Sequence, residues 1–597
     1  MLLSRARMQH FAPKKTPKGA ASLFHAWRPL FTGPEQYTPD SAGLIDAYQD
    51  FYPVRPAFPL PDLSTGELRA VARAMRHRAA GTDLWSADAL LLLPPPAWDR
   101  LVQLFSAVEA SGTWPDAFYD WRVTFIPKGS GDKPCHVHDV RPIAVGALLY
   151  RVWAKVRFGH AAKAWGSDLL HPLQVGGLPG LDAESLLVAL ANEADPATHP
   201  YGVSLDFRKA FDSTAWHTAV RLMRRAGLPD AVAGPLAAMW RRQRRWISFG
   251  GSIHSEPVRA VQALPQGDPF SPVALALVLA GPAFKIASRL PTAISTIYLD
   301  DRTALFPSFG QLSEYLREWS VFESFGRLRT HEGKTQFWAR TPAASTALSR
   351  AGFHPKPTLH VLGCSLGPSR RALTAKEAKR AQTCSAVAVR IGLVPASWRV
   401  KQRLAATLLS ARAVWGSLFS GRLPSSTEGQ AHYRNCTKAV RGPGLGVGRA
   451  SPHLRRVFLL GHTADLRFFA LSRLLSAVAR WRRFRSASWP SGWSSATQAL
   501  AHSCLSGLGW AARRYGVGPV RRAPDVLAFR FDSPSRERFK ALHDLRQAWR
   551  LSQVRAWTRS DRRDAAAART APALSLPVID SARAASGRLN GWALAVM

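Results

Sequence analysis

The chain has 597 residues, enough at roughly 150 residues per domain for about four structural units. It carries 80 Lys and Arg against 40 Asp and Glu, a formal charge of +40, and its 46% hydrophobic content supplies several cores and excludes wholesale disorder. Five cysteines exclude a disulfide framework and point to a reducing compartment, and no run reaches the ~18 apolar residues of a membrane span, since the stretch from Val273 stops at Lys285.

The charge is uneven. Residues 370–597 hold 40 basic and 10 acidic residues, which leaves a surplus of only 10 for the first 369. Compositional bias alone would spread the charge evenly, so a polyanion partner is expected, with the tail as its holding surface.

Residues 1–34 lack Asp and Glu but contain Arg5, Arg7, Lys14, Lys15, Lys18 and Arg28, and read as a transit peptide or a basic disordered arm. The pattern predicts a helix over 63–80, a strand over 121–127 and a turn at Gly129-Ser-Gly-Asp-Lys133. A strand over 201–205 leads into Asp206, and a helix over 213–226 is ended by Gly227 and Pro229. Residues 293–306 read strand, Asp-Asp, strand, the pattern of a tight hairpin. Beyond Gly367 the chain reads as mainly helical, with Leu466, Phe469, Leu474, Val478 and Trp481 at helical spacing ahead of the basic run 480–485.

Two acidic sites carry chemistry. Asp206 ends one apolar strand and Asp300-Asp301 follow another, and a carboxylate at the end of a buried strand needs a compensating charge. Two such sites together hold two divalent cations, which about 3.5–4 Å apart stabilise the attacking and leaving oxygens of a phosphoryl transfer. Mg2+ suits carboxylates that share it with substrate phosphates, with Mn2+ as the other candidate ion. Between the sites lies Leu264-Pro-Gln-Gly-Asp-Pro-Phe-Ser-Pro272, in which Gly267 permits close approach of backbone to a ligand and Gln266 can hydrogen-bond a base or sugar. Taken singly, an Asp-Asp hairpin is a solvated turn and the Pro-Gly loop a connection before a buried helix.

In order, these segments resemble the reverse transcriptases of non-LTR (LINE-type) retrotransposons. Asp206 with Ala210-Phe211-Asp212 resembles motif A, Pro265-Gln-Gly-Asp-Pro-Phe-Ser271 motif B, and Tyr298-Leu-Asp-Asp301 the Y-x-D-D box of motif C. Glu332-Gly-Lys-Thr335 is similar to motif D and Val361-Leu-Gly-Cys364 to motif E. Upstream, Phe125-Ile-Pro-Lys128, Arg141-Pro-Ile143 and Gln174-Val-Gly-Gly177 resemble finger motifs of the same group. The resemblance covers roughly 120–370 in family order.

It implies an α+β right-hand polymerase. The expected parts are a basic N-terminal extension over 1–85, fingers over 86–200, a palm with an antiparallel sheet over 201–350, a helical thumb over 351–425 and a basic helical region over 426–597. The reverse transcriptase domain as a whole would span about 110–370. It further implies RNA-templated addition of dNTPs to a DNA or RNA primer, with Asp206, Asp300 and Asp301 holding two Mg2+ ions. Lys128 and Arg141 would meet the triphosphate, Phe211 would exclude a 2′-hydroxyl, Gln266 and Gly267 would flank the nucleotide, and Lys334 would serve the leaving pyrophosphate. No membrane partner is expected, and the place of action would be nuclear or cytoplasmic, with organellar targeting by the basic N-terminus as the other reading. The sequence departs from the family at Arg302, where an apolar residue is usual, at His331 and at Val361.

Other motifs carry less. Gly333-Lys-Thr335 imitates the end of a P-loop, but Leu328 stands where the first glycine is required. Cys135-His-Val-His138 lacks a second ligand pair at zinc spacing, and Cys384, Cys436 and Cys504 are isolated in sequence. The stretch before residue 120 is too short for the family's usual endonuclease, so a truncated element or a fragment is expected. An RNA-dependent RNA polymerase is disfavoured by Pro-Gln-Gly and by Phe211; a group II intron maturase-like reverse transcriptase and a decayed or domesticated copy that binds RNA without catalysis stay as alternatives.

Overall fold

The computed structural model describes residues 19–32, 40–127, 137, 140–166, 168–180, 182–193, 198–249, 252–260, 262–356, 358–366, 370–415, 426–441, 460–470, 472–473, 476–477 and 549. The chain divides into two compact units, Met1–Gly180 with Val203–Thr335, and Leu181–Gly202 with Gln336–Met597. The described residues mix helix and sheet in the α+β manner.

Helices α1 (Gly19–Thr32), α2 (Thr65–Ala74), α3 (Leu148–Trp165), α4 (Trp216–Arg225), α5 (Ser271–Arg289) and α6 (Phe309–Ser324) belong to the first unit. Strands β1 (Asp120–Pro127), β2 (Val140–Val145), β3 (Gln174–Val175), β4 (Tyr201–Leu205), β5 (Arg244–Phe249), β6 (Ser252–Ile253), β7 (Val258–Arg259), β8 (Ile294–Tyr298) and β9 (Asp301–Phe306) form its sheets, β4 entering the unit at Val203.

One sheet runs β2-β1-β5-β6, with β7 also paired to β5. Trp121, Val123 and Phe125 alternate into its core from β1, as a half-buried strand requires. Helix α1 lies against β5 and β7 and buries Leu23, Phe24, Trp27 and Phe31, which recur at helical spacing. Within the stretch read as a transit peptide or basic arm, residues 19–32, where Arg28 is the one charged residue, form a helix packed by its apolar stripe, while Arg5, Arg7, Lys14, Lys15 and Lys18 lie outside the described residues.

The second sheet places β4, β9, β8 and β3 side by side. Strands β8 and β9 are antiparallel, with Tyr298 opposite Asp301, but β3 joins β8 in parallel. The expected antiparallel sheet is thus mixed, because the long chain between residues 175 and 294 supplies the crossover that a parallel pair needs. Helix α5 backs this sheet. It is long and apolar enough to cross a membrane, the one such helix among the described residues, yet Val273 through Ala283 are buried in the protein.

Two expected helices are shorter. The helix over 63–80 ends at Ala74, before His77 with its left-handed φ of 62°, and begins with a capping box between Ser64 and Glu67. The helix over 213–226 is split into Ala210–Ser213 and α4, because Thr214 turns extended and its hydroxyl donates to the Ala210 carbonyl at 2.8 Å.

In the second unit β10 (Gln336–Ala339) pairs in parallel with β11 (Pro355–Lys356), and β12 (Leu359–Val361) forms a hairpin with β13 (Cys364–Leu366). Its turn residues Leu362 and Gly363 both have positive φ, as a two-residue hairpin turn requires. Helices α7 (Arg370–Leu393) and α8 (Ser426–Arg441) share a core in which Cys384 and Cys436 are both buried. The two cysteines, isolated in sequence, are thus members of one apolar cluster. The basic run 480–485 and the tryptophans Trp481, Trp489, Trp493 and Trp510 lie outside the described residues, as do Cys135, His136 and His138.

Candidate active site

The first carboxylate follows β4 directly, and Asp300 and Asp301 form the β8–β9 turn and the start of β9. Because β4 and β9 are neighbours, the sheet brings the two acidic sites together. One oxygen from each of Asp206, Asp300 and Asp301 lies within 4.8 Å of the others. The turn is tight: Leu299 adopts φ 55°, and a Cβ on Gly176 would stand 2.8 Å from its Cγ. Gly176 is therefore needed to let the segment after β3 close against the Asp-Asp turn.

The charges are unbalanced. Lys334 Nζ donates a short hydrogen bond to Asp206 Oδ2, and the His331 N–H donates to the Asp206 carbonyl at 2.7 Å. No other side chain among the described residues donates to the carboxylates of Asp300 or Asp301. Loss of hydration, and next the Asp206 charge, raise Asp300 above the usual carboxylate range. The same loss, followed by the charges of Asp300 and Asp206, lifts Asp301 to about 6, while Lys334 and Arg141 pull both groups down. Three hard oxygen donors with too little positive charge beside them fit a divalent cation.

The other singled-out residues fall around this triad. Arg141, on β2 opposite Ile126 of β1, is exposed. Lys128 lies outside the described residues. Phe211 is half-buried, and its carbonyl accepts from the Leu264 N–H at 2.8 Å, tying the segment after Asp206 to the Pro-Gln-Gly loop. Gln266 donates to Asp212 Oδ2 at 2.8 Å. Gly267 approaches its own chain closely: its φ is 140°, and a Cβ there would lie 2.3 Å from the Ala144 carbonyl oxygen. The Ala144 N–H also donates to the Gln266 carbonyl at 2.8 Å, so the loop is latched onto β2.

Sequence reasoning missed two buried groups. Asp268 accepts from the Tyr150 hydroxyl, from Trp240 Nε1 at 3.1 Å and from the Phe270 N–H at 2.8 Å, and burial raises its pKa. Nothing in the spacing of Tyr150 and Trp240 foretells this. Arg302 is fully buried, and burial pulls its guanidinium down to about 10 against the opposing charges of Tyr315, Glu323, Asp206 and Asp300. Strand alternation held the signal here: if Asp301 faces out, the next side chain faces in.

Residues 126–366 match the family model described as reverse transcriptase (RNA-dependent DNA polymerase). The chain carries a reverse transcriptase domain. A relative described as the retrovirus-related Pol polyprotein from type-1 retrotransposable element R2 of Popillia japonica is 25% identical over 218 residues, 36% of this chain and 29% of the relative. The corresponding R2 polyprotein of Nasonia vitripennis is 24% identical over 218 residues, 35% of this chain and 20% of the relative. The likeness of the reverse transcriptase domain is thus to the non-LTR group, and the chain spans less than a third of the length of these relatives.

Proposed function

We propose that this chain is an RNA-directed DNA polymerase of a non-LTR retrotransposon, adding dNTPs to the 3′ end of a DNA or RNA primer on an RNA template. The observation that carries the reading is the gathering of the Asp206, Asp300 and Asp301 carboxylates within 4.8 Å at the strand ends of one sheet, inside the matched region. The fold assigned to it is the right hand, with the β1–β2 sheet in the fingers, the β4-β9-β8-β3 sheet in the palm and the helices after residue 370 in the thumb and basic tail.

Asp206, Asp300 and Asp301 would hold Mg2+, or Mn2+ in its place, whose chemistry is to stabilise charge on the oxygens of the transferring phosphoryl group. Arg141, together with Lys128, is assigned to the incoming triphosphate, where charge-assisted bonds orient it for in-line attack. Phe211 is assigned to the sugar, where its ring occupies the place of a 2′-hydroxyl and rejects ribonucleotides by contact. Gln266 and Gly267 bound the nucleotide side of the site through their ties to Asp212 and Ala144. Lys334, placed on Asp206, is the cation nearest to receive charge from the leaving pyrophosphate.

Primer extension by the purified protein tests this reading. An RNA template, an annealed primer, dNTPs and Mg2+ should yield extended DNA, and chelation of the metal should stop it. A protein that binds RNA but extends nothing in Mg2+ or Mn2+ is the decayed copy, and the polymerase reading then fails.

A further inference from the structure

Arg302 is the second residue of β9, directly after Asp301, and is 0% exposed. Its guanidinium carbon lies 3.5 Å from the centre of the Phe207 ring and 4.4 Å from that of Trp319 on α6. Nη2 donates to Thr330 Oγ1 at 2.8 Å, and Nη1 stands 3.8 Å from Glu323 Oε1. Glu323 in turn accepts a short hydrogen bond from the Thr330 hydroxyl and another from the Thr330 N–H at 3.1 Å.

These contacts converge on one segment. After α6 the chain passes through Thr330, which bridges to Phe207, and His331, whose N–H is bonded to the Asp206 carbonyl. Three residues later it presents Lys334 to the Asp206 carboxylate. Arg208 completes the seam, its N–H donating to the Arg329 carbonyl at 2.9 Å. The residues on either side of this seam thus carry the first metal-site carboxylate and the lysine that touches it.

A side chain kept only for packing would not be charged here. Leu or Met would fill the space beside Phe207 and Trp319 without the cost of burying a cation, a cost that the weak ion pair at 3.8 Å and two rings offset only in part. What an apolar residue cannot supply is the directed bond from Nη2 to Thr330.

We propose that Arg302 is a positioning residue that pins the 326–335 segment to the strand end of Asp206 and so fixes where Lys334 stands. Its role for catalysis rests on the polymerase reading above; its role in holding the segment does not. Arg302 touches neither substrate nor metal in this scheme and acts through Thr330.

The test uses Arg302→Leu and Thr330→Val in the full chain, with hydrogen exchange and single-nucleotide extension measured on both. Amide exchange at Thr330 and His331 should rise at least about fivefold in each variant, while the melting temperature of Arg302→Leu stays level or rises because a buried charge is gone. The maximal extension rate should fall about tenfold with dNTP KM within about twofold. In a Lys334→Ala background Arg302→Leu should cost less than about twofold more, since both changes spoil the same placement. Unchanged exchange, or a loss that multiplies in full through Lys334→Ala, overturns the proposal. If Arg302→Leu does not fold, Thr330→Val removes the same bond and decides the question alone. If the wild-type chain extends no primer, the polymerase reading fails while the exchange result still rules on Arg302.

Discussion

Two groups of aspartates lie within the same stretch of this chain and are built in opposite ways. Asp212 and Asp268 are buried and held by partners, the first by a hydrogen bond from Gln266 and an ion pair with Arg245 at 3.6 Å, the second by hydrogen bonds from Tyr150, Trp240 and the Phe270 N–H. Asp206, Asp300 and Asp301 stand within 4.8 Å of one another with Lys334 as the one side-chain donor among the described residues. A buried carboxylate with a counter-charge or several donors is part of the frame, whereas carboxylates left facing each other have capacity to spare for a cation. The difference separates residues that hold the loops from residues to which we assign the chemistry.

The sharpest way to break this contrast is to neutralise one member of each group. Asp300→Asn should lower the extension rate by about a thousandfold or more while RNA affinity and melting temperature hold or rise, since it removes a metal ligand and a like-charge repulsion. Equal loss of binding and extension would mean misfolding and would erase the distinction. Asp268→Ala should do the reverse. It leaves the buried Tyr150 and Trp240 donors without a partner and should cost about 2–4 kcal/mol of stability, read from urea melts, with activity lost only as folded protein is lost.

A smaller effect is expected at Phe211. Phe211→Ala should raise the use of rNTPs relative to dNTPs by about tenfold in competition assays, with little change in stability. A flat ratio would remove Phe211 from the sugar site.

The smallest effect concerns pH. In the folded chain burial and the charges of Asp300 and Asp206 lift Asp301 to about 6, above the ordinary range of an aspartate in an unfolded chain. In that window the native state binds more protons, so the stability of the metal-free protein falls as pH rises from about 4 through 6 and then levels. Asp301→Asn should flatten this slope in melts taken without metal, and an unchanged slope would show that Asp301 is not its source.

Much of the site was legible in the sequence because the chemistry is written in local strings. A carboxylate at the end of Tyr201–Leu205 and an Asp-Asp pair in a hairpin can be read from period-two patterns and turn residues, since both depend on neighbours in the chain. The helix over 19–32 was hidden because the basic residues that precede it in sequence drew attention from the spacing of Leu23, Trp27 and Phe31. Gly267 was legible as a special position, but its crowding partner was not, because Ala144 is more than a hundred residues away.

The sequence by itself therefore determined which acidic residues end the strands of the candidate site and in what order they occur. Only the tertiary structure decided that β4 lies beside β9, that β3 enters the sheet in parallel, and that Arg302 turns inward to Thr330. The physical reason is one of range. Side-chain alternation and turn chemistry act over a few residues, whereas strand order and the pairing of buried charges depend on which distant surfaces exclude water together.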